Sequence, residues 1–257
     1  MAYRDTYTVT VLLDVNDVQD VDDRAESRTY LIADQATGEA LIIDSVIENV
    51  DRDLALVRDL GLTLLFAVET HIHADHITGA SILHDRTGAR IVYGGGAKGS
   101  VVGAHEFLDE GQALCIGKTV LTALFTPGHT EGCASYLLPG AVFTGDALFI
   151  RGNGRTDFQG GSPEQLFHSV RSKLFALPDD TIVYPGHDYH GRVSSTIGEE
   201  KRFNERLNLS IAKDAFIDMM LRRKTPKPAK MDIALPANMR AGRMLSGEPG
   251  TTSSVVA

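Results

Sequence analysis

Thr70-His71-Ile72-His73-Ala74-Asp75-His76 sets three imidazoles and a carboxylate within seven residues, directly after the apolar run Leu64–Val68. An apolar run of that length bounded by Gly61 and a polar cluster reads as a strand buried on both faces. A strand that opens into such a cluster delivers several metal ligands to one point. Histidines and a carboxylate share so small a volume cheaply only when a cation compensates for their desolvation and crowding. The stretch therefore predicts metal binding on a sheet-based fold.

The same arrangement, a polar residue just past a strand, recurs along the chain. Ala40–Ile43 ends at Asp44, Thr119–Phe125 leads into Thr126-Pro127-Gly128-His129, and Ala141–Phe143 leads into Thr144-Gly145-Asp146. Thr181–Tyr184 leads into Pro185-Gly186-His187. A rigid sheet positions the loops at its strand ends, which is where ligands and catalytic groups gather. A lone His or Asp after a strand is more often structural; the cluster at His71–His76 makes His129, Asp146 and His187 its expected partners. Asp44 reads as an acid that orders a turn or loop.

Further strands are predicted at Tyr7–Leu13, Arg28–Ala33, Arg90–Tyr93 and Ala134–Leu138. Helical spacing of Leu54, Val57 and Leu60 predicts a helix over 50–60 with Asp51 near its start as a cap, and a second helix runs from about Ile77 to Arg86. Ser162-Pro163-Glu164-Gln165 reads as a capped start for a helix reaching about Leu177. Gly198 to Met220 is helical in pattern. No repeat or linker divides the chain, so residues 1–245 read as one domain and 246–257 as a loose Ser/Thr/Gly-rich tail.

Composition excludes several function classes. Hydrophobic residues at 43% and charged residues at 23% are ordinary globular values. A net charge of −9 disfavours nucleic acid and anionic membrane, both of which demand a basic surface. Cys115 and Cys133 make no disulfide framework, no apolar run is long enough to span a bilayer, and the N-terminal segment lacks the apolar core of a secretory signal. The expectation is a cytoplasmic enzyme.

His-x-His-x-Asp-His with downstream Gly-His, Gly-Asp and Gly-His resembles the metal signature of the metallo-β-lactamase superfamily, which implies an α/β fold, the four-layer αββα sandwich. Three further segments narrow the resemblance: Arg151-Gly152-Asn153-Gly154-Arg155-Thr156-Asp157-Phe158-Gln159, Tyr184-Pro185-Gly186-His187-Asp188-Tyr189-His190-Gly191 and Leu235-Pro236-Ala237-Asn238-Met239-Arg240. Together they resemble the persulfide dioxygenases (the ethylmalonic encephalopathy protein group), close relatives of the glyoxalase II hydrolases. Asn153 departs from the family, where many members carry cysteine.

The resemblance implies oxidation of glutathione persulfide by O₂ to sulfite and glutathione, a step in sulfur metabolism that serves hydrogen sulfide detoxification. It implies one Fe(II) per chain held by His71, His129 and Asp146, with His73, Asp75, His76 and His187 around them or holding a second metal, and glutathione contacts at Arg155, Tyr189 and Arg240. Two imidazoles and a carboxylate on one face of a metal leave positions for substrate and O₂, and zinc has no accessible redox change. Partners implied are glutathione persulfide, O₂ and a second copy of the chain in a homodimer, with no nucleic acid and no membrane. In the hydrolase relatives the same positions help build a two-metal site, commonly zinc, so hydroxyacylglutathione hydrolysis is the alternative. A metal-binding protein without turnover is the third reading, and it requires a blocked or incomplete site.

Overall fold

A computed structural model describes residues 6–15 and 26–245; the predicted tail from Ser246 lies outside them. Among these residues one sheet carries, in order across it, β1 (Tyr7–Val15), β2 (Glu26–Asp34), β3 (Glu39–Ile43), β4 (Thr63–Glu69), β5 (Arg90–Gly94) and β6 (Glu106–Leu108), with β12 (His187–Asp188) also paired to β2. The second sheet runs β13 (Ser195–Thr196), β11 (Ile182–Pro185), β10 (Ala141–Gly145), β9 (Ala134–Leu138), β8 (Thr119–Phe125), β7 (Ala113–Ile116). The helices are α1 (Val50–Asp59), α2 (Ala80–Thr87), α3 (Pro163–His168), α4 (Ile197–Phe203), α5 (Lys213–Arg222) and α6 (Met231–Asn238).

Alternation along the strands sorts side chains into three apolar layers. Ile32, Leu41, Ile43 and Val68 of the first sheet meet Leu121, Tyr136 and Phe143 of the second, forming the core between the sheets. Their neighbours Leu31, Ile42 and Ala67 face outward onto Val50 and Val57 of α1 and Leu83 of α2. Val142 and Val183 face the other way, onto Leu166 of α3, Ile197 of α4 and Phe216 of α5. Each fully buried aliphatic side chain contributes roughly 1.5–3 kcal/mol by leaving water. The αββα sandwich expected from the resemblance follows directly from this sorting.

β4 is parallel to both β3 and β5, and its pairing to β3 slips between Ala40↔Leu64 and Leu41↔Phe66. The extra residue, Leu65, puts Leu65 and Phe66 both against the inter-sheet core while Leu64 and Ala67 face the helices. This bulge is why the apolar run shows no alternation.

Several boundaries differ from the sequence expectation. Asp51 does not cap α1; Asn49 stands at that position, and Asp51 pairs with Arg86 of α2. α2 starts three residues late, at Ala80, whose N–H is capped by Thr78 Oγ1 at 3.1 Å. Ser162 does cap α3, accepting from Gln165 N, and wider and tighter turns continue that helix to Ala176. The helical pattern over 198–220 breaks between α4 and α5. There the Asn204 side chain accepts from the N–H groups of Arg206 and Leu207 and donates to the Gly152 carbonyl, so it competes with the helix ladder.

The two sheets are spliced at Gly186, between β11 in one and β12 in the other. Its N–H donates to Gly145 O at 2.8 Å, and its carbonyl accepts from Arg28 N at 2.9 Å. A Cβ there would stand 2.5 Å from Asp146 Oδ1, so only glycine fits. One residue on, β12 is anchored by a buried ion pair: Arg28 and Asp188 are 1% and 2% exposed and 3.7 Å apart. Arg28 also donates to the carbonyls of Arg192 and Val193. Replacing Arg28 with alanine is expected to destabilise the fold by about 1–3 kcal/mol, because the buried Asp188 then keeps only the part-exposed Arg192, 3.4 Å away, and the carbonyls of Arg192 and Val193 lose their donor. Urea denaturation checks this; a loss under about 0.5 kcal/mol, the size of an ordinary surface substitution, would show the pair to be dispensable.

Candidate metal centre

The centre begins with Asp44, at the end of β3, whose φ of 52° turns the chain sharply. Its carboxylate accepts from Thr70 N at 2.7 Å and from Thr70 Oγ1 at 2.8 Å. Having donated its one proton to Asp44, Thr70 Oγ1 accepts from His71 Nδ1 at 3.0 Å. That fixes the His71 tautomer and leaves its Nε2 lone pair for a cation. Burial, reinforced by the neighbouring His73, pulls the His71 pKa well below the usual histidine range, so the ring is in its neutral, ligating form. Asp44 thus orders the loop, as the sequence reading has it.

His129 is oriented the same way from a different element. Its Nδ1–H donates to the Arg155 carbonyl at 2.7 Å, which leaves Nε2 bare and 3.5 Å from Asp146 Oδ2. Gly128 before it has φ +138°, and a Cβ there would meet the backbone of Leu166 at 2.3 Å. The glycine therefore makes room for the start of α3. Asp146 is fixed by Gly154 N–H donating to its backbone oxygen at 3.0 Å, and its Oδ1 lies 2.8 Å from His187 Nδ1. Burial alone would raise its pKa, but the charges of His187 and His129 outweigh that and hold the carboxyl far below its usual range.

Donor atoms of His71, His129 and Asp146 all lie within 4.8 Å of one another. Donors bound to one ion at roughly 2 Å stand about 3–4 Å apart, so this group fits a single metal with little movement. All three are oriented by second hydrogen bonds, as metal ligands commonly are. A facial set of two imidazoles and one carboxylate leaves the opposite positions open.

The other predicted residues surround this set. His73 Nε2 lies 3.2 Å from Asp44 Oδ1 and 3.3 Å from Glu69 Oε2, and its Nδ1 is buried without a hydrogen-bond partner. Burial opposes its charge, but Asp44 and Glu69 hold its pKa well above the usual range. His76 Nδ1 lies 3.0 Å from Asp75 Oδ2, and its Nε2 is likewise buried and unpartnered. His73, Asp75 and His76 could hold a metal of their own. Asp75 Oδ2 is already crowded: Ser27 Oγ and His187 Nε2 each lie 3.1 Å from it. With Nδ1 on Asp146, both His187 nitrogens face carboxylates.

Of the expected glutathione contacts, Tyr189 lies at this rim, its ring parallel to that of His187 and edge-on to Phe149. The Arg155 fork is occupied: Nε and Nη2 donate to Asp157, and Nη1 and Nη2 donate to the carbonyls of Pro226 and Thr225. Arg240 Nε donates to the Arg243 carbonyl. A carboxylate would reach Arg155 only by displacing or sharing its bonds. Asn153 is wholly buried and donates to Gly154 O and Met220 Sδ.

Two residues that the sequence reading passes over clamp the ligand loop. Asn238 Nδ2 donates to the carbonyls of His73 and His76, both at 2.8 Å, and its Oδ1 accepts from Thr78 N at 2.9 Å. Gln159 Nε2 donates to Ile72 O at 2.8 Å. Both sit inside motifs quoted above, and the one sequence signal for them is a polar amide within a motif far along the chain.

Asn238→Ala is expected to weaken metal binding about ten- to a hundredfold, because the loop loses its outer support. Chelator competition on the folded variant measures this, and an unchanged dissociation constant would contradict the clamp. Cys133 beside the centre is buried, its thiol pKa pushed up to about 12 by desolvation, whereas Cys115 is exposed. Iodoacetamide at pH 8 is therefore expected to label Cys115 alone in the native protein, with Cys133 reacting only after denaturation. Mass mapping that finds Cys133 alkylated natively would refute that assignment.

The sequence profile of the Metallo-beta-lactamase superfamily matches residues 23–187. The mitochondrial persulfide dioxygenase ETHE1 of Bos taurus is 46% identical over 217 residues, covering 83% of this chain and 84% of that protein. The crystal structure of ETHE1 from Myxococcus xanthus matches with a TM-score of 0.85 at 44% identity, covering 92% of this chain and 100% of that one. A hydroxyacylglutathione hydrolase of Polaromonas sp. is 40% identical over 164 residues, only 62% of this chain and 61% of that protein. The profile spans more than half of the chain, and the dioxygenase likeness runs through most of it. This protein belongs to the metallo-β-lactamase superfamily and, within it, to the persulfide dioxygenase family.

Proposed function

We propose that this chain oxidises glutathione persulfide with O₂ at one ferrous ion held by His71, His129 and Asp146. The balance is RSSH + O₂ + H₂O → RSH + SO₃²⁻ + 2 H⁺. The observation that carries the reading is the asymmetry between the two ligand sets. His71 and His129 each have Nδ1 satisfied and Nε2 bare beside Asp146. His187, by contrast, has both nitrogens on carboxylates, and Asp75 Oδ2 serves three neighbours. One ion therefore fits without cost, and a second must break several hydrogen bonds.

Iron at this position supplies the electron exchange with O₂ that no side chain here can provide. The chain's own part is positioning. Tyr189 and Phe149 form an aromatic wall beside His187 on which the persulfide's carrier rests. Burial of His71, His73 and His76 keeps water away from the ligand side. Arg155 and Arg240 are retained as glutathione contacts that open when substrate arrives. Action in the cytoplasm and as a homodimer belongs to the same proposal; among the described residues no helix is long and apolar enough to cross a membrane.

Hydrolysis of hydroxyacylglutathione by two metals is the second reading, favoured by the unpartnered His73 Nδ1 and His76 Nε2 within one ligand group. Metal analysis with parallel assays separates the two. The proposal expects iron near one per chain and O₂ uptake on glutathione persulfide; two zincs with cleavage of lactoylglutathione would favour the hydrolase. Asp146→Ala is expected to strip the iron and lower O₂ uptake by more than about a hundredfold. Undiminished uptake in a metal-replete Asp146→Ala protein would sink the assignment.

A further inference from the structure

The two imidazole ligands come from different sheets. His71 follows β4 of the first sheet and His129 follows β8 of the second, yet their ring centroids are 4.9 Å apart and the rings nearly perpendicular. The bonds that turn each ring, from Thr70 Oγ1 to His71 and from His129 to the Arg155 carbonyl, stay on one side of the sandwich. They orient the rings without fixing the spacing between the two backbones.

Cys133, a buried thiol that no step above uses, stands where that spacing is set. It closes the connection from β8 to β9, its carbonyl accepting from Thr126 N at 3.0 Å. Its sulfur holds the residue after His129 at two points: Thr130 N donates to Sγ at 3.3 Å, and Thr130 Oγ1 lies 3.1 Å from it. The next residue, Ala134, donates its N–H across to the other sheet, to Thr70 O at 2.9 Å, and Thr70 precedes His71. The Tyr136 hydroxyl adds a second crossing bond, to Glu69 O at 2.8 Å. Adjacent residues at one strand end therefore hold the chain beside both imidazoles. Cys133 and Thr130 are each 4% exposed, so water does not compete for these bonds. Among the described residues no ligand group includes the sulfur. A second link, from Glu131 N to Gln159 O and from Gln159 Nε2 to Ile72 O, is less direct because it passes through the loop after Gly154.

The run Gly94-Gly95-Gly96 is the bed on which this turn rests. A Cβ at Gly94 would stand 2.5 Å from Ala134 Cβ, and one at Gly96 would stand 3.2 Å from both Glu131 O and Gly132 Cα. Gly94 has an ordinary φ of −65°, so close approach rather than backbone freedom calls for glycine there.

We propose that Cys133 is a positioning residue: with Ala134 it brackets Thr130 and Thr70, and so sets the separation of His129 and His71 at the metal. The proposal rests on the reading of those two histidines as ligands. A thiol is a weak hydrogen-bond partner, but this one satisfies a buried N–H, and stranding that N–H costs more than the bond itself contributes.

The test uses Co(II), whose dissociation constant follows from chelator competition and whose visible spectrum reports ligand geometry; neither readout needs turnover. The variants are Cys133→Ser, which keeps a donor and an acceptor, Cys133→Val, which keeps bulk alone, and Cys133→Ala, which keeps neither. Melting temperature is recorded for each. Valine and alanine are expected to weaken cobalt binding about tenfold or more and to shift the spectrum, while serine stays within about threefold of wild type and keeps its spectrum. A merely structural cysteine gives another pattern: valine restores the melting temperature that alanine loses, and all the folded proteins bind cobalt alike. That pattern overturns the bracket. So does a sulfur-to-cobalt charge-transfer band in the wild type that Cys133→Ser abolishes, since the sulfur would then be a ligand. If the valine and alanine proteins fail to fold, Thr130→Val, which keeps the sulfur and removes only the hydroxyl, decides. Weaker binding with a shifted spectrum supports the bracket, and wild-type values overturn it. O₂ uptake on glutathione persulfide, measured in parallel on iron-loaded wild type, keeps the two readings apart: no uptake sinks the dioxygenase reading, while the cobalt constants still judge the bracket.

Discussion

One buried carboxylate, Asp44, holds the centre together. It stands just past the end of a strand in the middle of a sheet and grips both the N–H and the hydroxyl of Thr70, just past the end of the neighbouring strand. Through that hydroxyl it sets which nitrogen of His71 is bare, and the oxygen that accepts from Thr70 N, Oδ1, also lies 3.2 Å from His73 Nε2. Burying an acid here costs desolvation, which the two hydrogen bonds and the adjacent imidazole offset. Removing it would leave the Thr70 N–H unpaired, His73 with Glu69 alone and the Thr70 hydroxyl free to turn, so that nothing would set the His71 tautomer. The ligand loop is then held from outside by amides, Asn238 from α6 and Gln159 from the loop after Gly154. The first ligand thus depends on residues spread from β3 to the C-terminal helix.

The sheet splice does comparable work on the other side. Because Gly186 bonds one sheet through its N–H and the other through its carbonyl, His187 reaches Asp146 and Asp75 at once. Ser27, on β2 directly opposite His187 in the register, adds a third group to the Asp75 oxygen. The fold therefore decides how free each ligand is, although residue types alone would permit two metals. Beside this centre Phe149 stands edge-on to both His187 and Tyr189.

Much of this was legible in the chain. Residues that sit immediately after apolar strands, His71, His129, Asp146 and His187, could be placed because strand ends are few and sheets are rigid. The four layers were expected from the family resemblance, and the in-out alternation of runs such as Tyr30–Ala33 accounts for them once the strands are paired. What was hidden is what depends on partners distant in sequence. Asn238 lies 165 residues from the His73 carbonyl it holds, and nothing local distinguishes its amide from any other. Short strands such as β12 exist only because Arg28 and Ser27 pair with them. Arg155 looks like a free cation in sequence, whereas Asp157 two residues on takes its fork. The break between α4 and α5 is likewise a tertiary effect, set by where the Asn204 side chain finds partners.

The central claim is that a single iron is bound by two imidazoles and one carboxylate while the neighbouring ligands remain hydrogen-bonded to each other. X-ray absorption at the iron edge of anaerobically loaded protein addresses it most directly. The account predicts about two imidazole scatterers with the remaining shell oxygen and no metal–metal vector. A heavy scatterer at about 3.5–4 Å, the spacing of two-metal sites, would contradict it.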